Sequence, residues 1–480
     1  MKVVFLHKDS FVKLAVEYLS AALKAEGHQC DLFIESGEKH FLKSALESNA
    51  DLFAFSCTTG GDEWVLETAA ALKKECSTPI IVGGPHTTFF PQMIEQANID
   101  YICRGEGEQA LVELVRALEN NHDAIKQTSN IWSKNSDSIT YKTEVRPFIE
   151  DLDMKPFPDF GIYAKYRHIF TYSKDMYPVM TGRGCPHNCS YCFNQTYKEL
   201  YRNKGKYLRK KTPERIIAEL LWAKQTYGIR KINFVDDSFF LFPKWLRELS
   251  ALYKEKINLP FIINVEPTEV KEDLVQTVKE MGCICIRMGL ESGNDHLRQN
   301  VLNKKVTTEQ IKTAAGHIKR HGIKLATYNI LGLPGETLDN AIETYKLNKE
   351  IGTDFIWCSL LQPYPGTAID KYVREQGFLD DVDSEPSLNE SYFVSSRIKL
   401  ENEKEITNLQ KLMQVFAQLK MPLFAVRSII RLPNNVIFRL IFKLSFIYSK
   451  IRTQKMKIIP IIMLGLHSFS YMKKQKIKTS

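Results

Sequence analysis

Cys185, Cys189 and Cys192 stand at the spacing C-x3-C-x2-C inside the stretch M-T-G-R-G-C-P-H-N-C-S-Y-C-F, Met180 to Phe193. Three thiolates this close can hold one metal assembly. A structural zinc site closes its tetrahedron with four protein ligands, and the next cysteine is Cys283. His187 could complete a zinc knuckle, and three plainly buried cysteines are the inert alternative. A cubane 4Fe-4S cluster held by three cysteines leaves one iron open, and an open iron is a place to bind and activate a ligand. Gly182, Gly184 and Pro186 suit a tight loop folding back around such a group. Tyr191 and Phe193 flank the last thiol.

The elements that must position this loop alternate between strand and helix patterns. Strands are predicted at Pro178–Thr181, Lys231–Val235, Phe261–Val265, Cys283–Met288, Lys324–Leu331 and Phe355–Leu361, with helical patterns between them. Pro213–Tyr227 is the clearest helix, with Thr212 as N-cap and Gly228 as stop. The strands end in Asp236-Asp237-Ser238, Glu266-Pro267, Gly289-Leu290-Glu291-Ser292-Gly293 and Gly332-Leu333-Pro334-Gly335. C-terminal strand ends are where α/β barrels assemble sites. Plainer readings exist for each motif: paired Asp caps helices, and G-L-P-G is an ordinary turn. Arg287 suits either a carboxylate or solvent. Cys283 and Cys285 alternate with Ile284 and Ile286, which predicts core packing.

Upstream, residues 1–125 show further βα units: strands at Lys2–Leu6, Gln29–Ile34, Asp51–Ser56, Pro79–Val82 and Tyr101–Arg104, helices at Phe11–Glu26 and Trp64–Lys74. That alternation predicts a parallel, doubly wound sheet with ligand-binding loops at the strand ends. The small residues of Ser56-Cys57-Thr58-Thr59, Gly83-Gly84-Pro85-His86 and Arg104-Gly105-Glu106-Gly107-Glu108 fall there. Asp151–Phe160, with two prolines among aromatics, reads as an extended connector.

The cysteine stretch resembles the radical S-adenosylmethionine (radical SAM) superfamily in its spacing and in the aromatic before the last Cys. The resemblance implies that Cys185, Cys189 and Cys192 hold a 4Fe-4S cluster whose open iron chelates S-adenosylmethionine. Reductive C–S cleavage would then yield a 5′-deoxyadenosyl radical. It further implies cofactor contacts from Tyr191 and the Gly332–Gly335 turn near adenine, from Glu291 and Ser292 at the ribose, and from Asp237 near the methionyl group or substrate. Residues 1–125 resemble the cobalamin-binding domains that precede many such cores. On that likeness Gly83, Gly84, Gly105 and Glu106 admit the nucleotide tail, and Ser56 and Thr58 line its pocket. One departure stands out: where relatives carry D-x-H-x-x-G, this chain has Asp9-Ser10-Phe11-Val12-Lys13-Leu14, so no His is offered to cobalt. Cys30, Cys57, Cys76 and Cys103 do not match the second cluster site of methylthiotransferases.

The expected architecture is α/β: a doubly wound Rossmann-like cobalamin-binding domain (1–125), a linker (126–170), a partial (β/α)6 radical SAM barrel (171–377) and a basic helical segment (378–480). The expected activity is reductive cleavage of S-adenosylmethionine with cobalamin-dependent methylation of an unactivated carbon. Oxidation or cyclisation without methyl transfer or without functional cobalamin is the alternative, and a cobalamin or redox sensor is the non-enzymatic one. The expected partners are a small-molecule or lipid-like substrate and a reductant such as flavodoxin or ferredoxin, with no nucleic acid.

Ten cysteines in 480 residues are too few for a disulfide scaffold. The start M-K-V-V-F-L-H-K-D has no long apolar run, so a cytoplasmic protein is expected. Residues 406–480 hold 14 Lys or Arg and no acid, so the net charge of +9 leaves −5 for residues 1–405. Asn402–Lys420 reads as an amphipathic helix, and Ile458–Leu466 is too short to span a bilayer. Two readings of this segment stay open: peripheral contact with the inner face of a membrane through 406–480, or a helical subdomain packed on the barrel.

Overall fold

The computed structural model describes residues 1–9, 11–135, 139–169, 175–379, 393 and 396–454. These fall into two units: residues 1–169 with Leu200–Lys206, and residues 175–199 with 207–454. The Ile458–Leu466 stretch and most of the 378–397 loop lie outside the described residues.

The first unit runs β1 (Lys2–His7), α1 (Leu14–Ala25), β2 (Gln29–Ile34), α2 (Phe41–Leu46), β3 (Leu52–Ser56), α3 (Asp62–Glu75), β4 (Ile80–Gly83), α4 (Pro85–Phe89), β5 (Tyr101–Cys103), α5 (Glu108–Asn120), β6 (Ile131–Lys134) and β7 (Thr140–Tyr141). The sheet order is β2-β1-β3-β4-β5-β6-β7. The first five strands are parallel, and β6 and β7 add an antiparallel edge. Helices cover both faces, so β1 is apolar on both: Val3 and Phe5 pack with α1 and α5, while Val4 and Leu6 pack with α2 and α3. The first helix begins at Leu14, three residues later than the pattern suggests. The Asp9 carboxylate accepts the Phe11 amide at 2.9 Å, and such a turn competes with helix.

Residues 126–169, expected as a linker, pack on the first sheet. They supply β6 and β7, and the turn Phe160–Tyr166 buries Tyr163 and Tyr166 against α1 and β2. Arg146 locks this wrap, forking onto Glu113 at 3.0 and 2.6 Å and onto Asn130 at 3.0 Å. Tyr163 and Tyr166 need apolar cover, and this sheet provides it.

The second unit carries β8 (Met176–Val179), β9 (Gly182–Arg183), α6 (Phe193–Leu200), β10 (Arg209–Lys210), α7 (Pro213–Tyr227), β11 (Lys231–Phe234), α8 (Pro243–Lys256), β12 (Phe261–Val265), α9 (Glu272–Met281), β13 (Cys283–Glu291), α10 (Thr308–Arg320), β14 (Lys324–Leu331), α11 (Leu338–Glu350), β15 (Phe355–Leu360) and α12 (Ala368–Glu375). Six parallel strands in the order β15-β14-β13-β12-β11-β8 form the partial (β/α)6 barrel. Cys283 and Cys285 are buried in it, as their alternation with Ile suggests.

Three further helices follow: α13 (Glu403–Gln418), α14 (Leu423–Ile430) and α15 (Val436–Gln454). α13 is built into the barrel wall. Ile406, Leu409, Leu412, Met413 and Phe416 are buried against Leu331, Ile356, Cys358 and Leu360. Its glutamines pair with the open edge of β15: Gln410 donates to the Cys358 carbonyl at 2.8 Å, and Gln414 accepts the Ile356 amide. A sheet edge left bare invites foreign strands, and side-chain amides here take the place of a strand. For α13, the packed-subdomain reading of the tail is the observed one.

Candidate functional site

The cysteine loop leaves β8 and is held from several sides. The Thr181 amide and hydroxyl donate to Asp236 at 3.2 and 2.6 Å. Gly182 and Gly184 serve packing: a Cβ on either would come within 2.6 or 2.5 Å of the Arg209 or Tyr207 carbonyl. Gly184 also has φ 92°, which excludes most side chains. Further along, the Ser190 amide and hydroxyl donate to the carbonyls of Leu302 and Val301. The Lys198 amine gathers the carbonyls of Pro186 and His187 and the Asn188 side chain at 3.0, 2.9 and 2.8 Å. His187 spends Nε2 on Glu269 at 2.8 Å, so that nitrogen is not turned to the thiols. Cys185, Cys189 and Cys192 are half-buried and not disulfide-bonded. Burial pushes Cys185 up to about 12 and Cys189 up to about 11, and raises Cys192.

Beside Cys189 lies a buried ion cluster. Lys304 bonds the Glu266 carboxylate and stands 3.8 Å from Glu291. Burial raises the Glu291 carboxyl and Lys304 opposes that rise, while Tyr191 hydrogen-bonds the same carboxylate. Gly289 makes the space: a Cβ there would meet Glu291 Oε1 at 2.6 Å and Lys304 Nζ at 3.1 Å. Glu291 itself has φ 65°, a left-handed conformation that costs a non-glycine residue about 1–3 kcal/mol.

Glu291 and Ser292, paired in the sequence reading, part company here. Ser292 is fully buried, and its hydroxyl accepts the Asn294 amide at 3.2 Å. That bond shapes the loop. The buried Arg298 guanidinium pins the same segment through the carbonyls of Ser292 and Val306. Gly293 lets α11 approach, since a Cβ would stand 2.4 Å from the Glu343 backbone.

Asp237 stands exposed to solvent at the end of β11, yet its carboxyl is raised by surrounding protein; Asn194 donates to it at 3.1 Å. That combination describes a recess. Its neighbour Asp236 is committed to Thr181 and to Lys210, 3.2 Å away. Gly332 and Gly335 have φ 72° and 73°. Between them Leu333 is buried in the cluster that Tyr191 packs against. Leu400 covers Gly332, 3.3 Å from where a Cβ would stand. Arg287 lies in register with Asn264 and donates to Asn233 Oδ1 at 2.6 Å. Its Nε is buried without a hydrogen-bond partner among the described residues.

In the first unit, Ser56 is half-buried and Thr58 exposed at the end of β3, beside Gly83 at the end of β4 and Gly84 just after it. Gly84, at φ 103°, permits close backbone approach to Cys57, whose carbonyl would be 2.6 Å from a Cβ. Gly105 is different. The Tyr201 phenol occupies the space a Cβ would need, at 1.9 Å, and its oxygen accepts the Glu106 amide at 2.9 Å. So Gly105 and Glu106, expected to admit a cofactor tail, receive a tyrosine of the same chain. Phe11, in the position where relatives place His, is exposed.

Residues 179–347 match the radical SAM superfamily, and residues 8–115 match the B12-binding domain. The chain carries a radical SAM domain and, ahead of it, a B12-binding domain. An uncharacterized methyltransferase of Pyrococcus horikoshii is 30% identical to this radical SAM protein over 62% of the chain. The chain spans 64% of that relative's length. The anaerobic magnesium-protoporphyrin IX monomethyl ester cyclase of Rubrivivax gelatinosus is 26% identical, over 76% of this chain and 68% of its own. Two solved structures share the fold. The cobalamin-dependent S-adenosylmethionine radical enzyme OxsB has a TM-score of 0.67 at 17% identity, covering 94% of this chain and 71% of its own. The radical S-adenosylmethionine methyltransferase TsrM of Kitasatospora setae has 0.64 at 15%, covering 78% and 76%.

The radical SAM domain implies a 4Fe-4S cluster and S-adenosylmethionine, and the B12-binding domain implies cobalamin. The residues present fit a cluster. Three thiols share one loop, and burial disfavours their thiolates until a cationic group compensates. Among the described residues, no three His, Cys, Asp or Glu side chains are placed to share a single metal ion. The strand-end rim of Ser56, Thr58, Gly83 and Gly84 fits the cobalamin tail, while the Gly105 side is filled by Tyr201. Sequence reasoning missed Lys304, Glu269, Lys198 and Tyr201. Each is an ordinary residue in a polar stretch, and nothing local marks the partner it meets.

Proposed function

We propose that this radical SAM protein is an enzyme that cleaves S-adenosylmethionine reductively and methylates an unactivated carbon of a small-molecule or lipid-like substrate. The observation that carries the reading is the three-thiol loop set against a buried Lys304–Glu266–Glu291 cluster, in a chain that also has a B12-binding domain. When bound, the 4Fe-4S cluster supplies an electron for C–S bond cleavage, with cobalamin as methyl carrier.

The chain's own residues have separable tasks. Cys185, Cys189 and Cys192 hold the cluster, with Lys198 and Ser190 fixing their loop. Glu291 would accept hydroxyl hydrogen bonds from the ribose, with Lys304 opposing the rise that burial gives its carboxyl. Tyr191 and the Gly332–Gly335 turn would lie by the adenine, and Asp237 near the methionyl group or the substrate. Ser56, Thr58, Gly83 and Gly84 would receive the cobalamin tail. Phe11 carries no nitrogen, so that loop would supply no ligand to cobalt. Arg287, with Nε unpaired, suits an anionic substrate group. A flavodoxin or ferredoxin serves as reductant.

Anaerobic reconstitution with iron and sulfide tests this reading. The expected result is 5′-deoxyadenosine from S-adenosylmethionine plus reductant, and none from the Cys185→Ala, Cys189→Ala, Cys192→Ala triple variant. Retained cleavage in that variant sinks the assignment. Likeness to the Rubrivivax cyclase over 68% of its length favours a second reading, oxidation or cyclisation without methyl transfer. Transfer of isotope from labelled S-adenosylmethionine methyl to product separates the two.

A further inference from the structure

α15 (Val436–Gln454) carries apolar residues on two sides, and the barrel covers one of them. Phe438 and Ile441 pack with α13 and β15, and the Phe446 ring lies 5.2 Å from that of Trp357. On the other side Val436, Ile437, Leu440, Leu444 and Tyr448 are 69, 65, 53, 55 and 43% exposed. At 3.6 residues per turn these five fall within roughly a third of the helix circumference, so they form one continuous stripe. Phe424 of α14 and Leu432 of the connecting turn are exposed as well. Single exposed leucines are ordinary, but a contiguous apolar surface marks an interaction site. Eight of the fourteen exposed large hydrophobics among the described residues lie between Leu419 and Tyr448, so the feature is local to these helices.

The charge around the stripe selects its occupant. Arg439 and Lys443 are exposed along one flank, and residues 406–480 contain 14 Lys or Arg with no Asp or Glu. A second copy of this chain would bring like charges together. A bilayer rich in anionic headgroups offers phosphate to the basic flank and acyl surface to the stripe. No described helix is long and apolar enough to cross a membrane, which leaves binding in the plane of the interface.

We propose that the exposed face of α14 and α15 docks on an anionic lipid surface, with Leu440 and Leu444 at the headgroup–acyl boundary and Arg439 and Lys443 on lipid phosphates. This docking does not depend on the proposed chemistry, and its test reads binding alone.

The full-length protein is sedimented with vesicles of phosphatidylcholine alone and of phosphatidylcholine mixed with phosphatidylglycerol. The expected result is pelleting with the mixed vesicles only, weakening as salt rises. A Leu440→Gln, Leu444→Gln variant should bind at least about tenfold more weakly, given the apolar area withdrawn. An Arg439→Gln, Lys443→Gln variant should lose about fivefold per charge. Circular dichroism should match wild type for both, since all four side chains are exposed. Three results each overturn the proposal: wild type left in the supernatant with mixed vesicles, either variant pelleting as wild type does, or a dimer without vesicle affinity that the leucine variant splits into monomers.

Discussion

Replacing Glu336 by Gln should change how the stability of this protein responds to pH. Glu336 follows the Gly332–Gly335 turn and is buried. One carboxyl oxygen accepts the amides of Gly332 and Leu333 at 2.6 and 3.2 Å. The other is buried without a hydrogen-bond partner among the described residues. Burial outweighs the two amides and pushes the carboxyl up to about 8 from 4.5. The folded value therefore lies above the unfolded one. The stability it contributes is complete below the unfolded value and is lost as pH rises through the folded value. Between those limits the loss runs at about 1.4 kcal/mol per pH unit, or about 2 kcal/mol from about pH 6 to pH 8. The Gln variant keeps an oxygen for the two amides and has no charge to bury. Anaerobic urea unfolding, followed by tryptophan fluorescence, should show wild type losing that amount over this range relative to Glu336→Gln. Parallel pH profiles for the two proteins would refute the reasoning, because they would mean that the two amides hold the carboxylate ionised throughout.

Other perturbations have equally definite outcomes. Lys304→Met leaves Glu266 and Glu291 buried without their cation and should cost about 3–5 kcal/mol; reduced melting temperature and low iron retention after reconstitution would register it. Gly289→Ala places a methyl 2.6 Å from the Glu291 carboxylate and should cost about 1–3 kcal/mol by overpacking. Its weaker S-adenosylmethionine binding is measurable by calorimetry. Tyr201→Phe keeps the ring stacked 3.9 Å from Phe148 but removes the oxygen that accepts the Glu106 amide. The expected loss is about 1–3 kcal/mol in denaturant unfolding, against a larger loss for Tyr201→Ala.

Much of this protein is written in short-range chemistry. The C-x3-C-x2-C spacing confines three thiols to one loop whatever surrounds it. The helix Pro213–Tyr227 was readable to the residue, because Thr212 caps it through the Arg215 amide and Gly228 ends it at φ 62°. The six barrel strands were readable because apolar runs buried on both faces must lie between helices. The positive-φ glycines of the Gly332–Gly335 turn were visible for a similar reason: few other residues tolerate that backbone.

Only the folded chain could tell Glu291 from Ser292. They are neighbours in sequence, yet Glu291 joins the Lys304 ion cluster while the Ser292 hydroxyl accepts the Asn294 amide. Lys304 meets Glu266 across 38 positions, and Tyr201 fills the space beside Gly105 from far along the chain. α13 donates glutamines to β15 from more than 50 residues away. A residue's type states which partner it can accept; which partner arrives is settled by packing between elements, and no local pattern encodes that. The two-sided α15 is the same lesson in reverse, since its apolar composition was legible while the division into a covered and an open face was set by where the barrel wall ended.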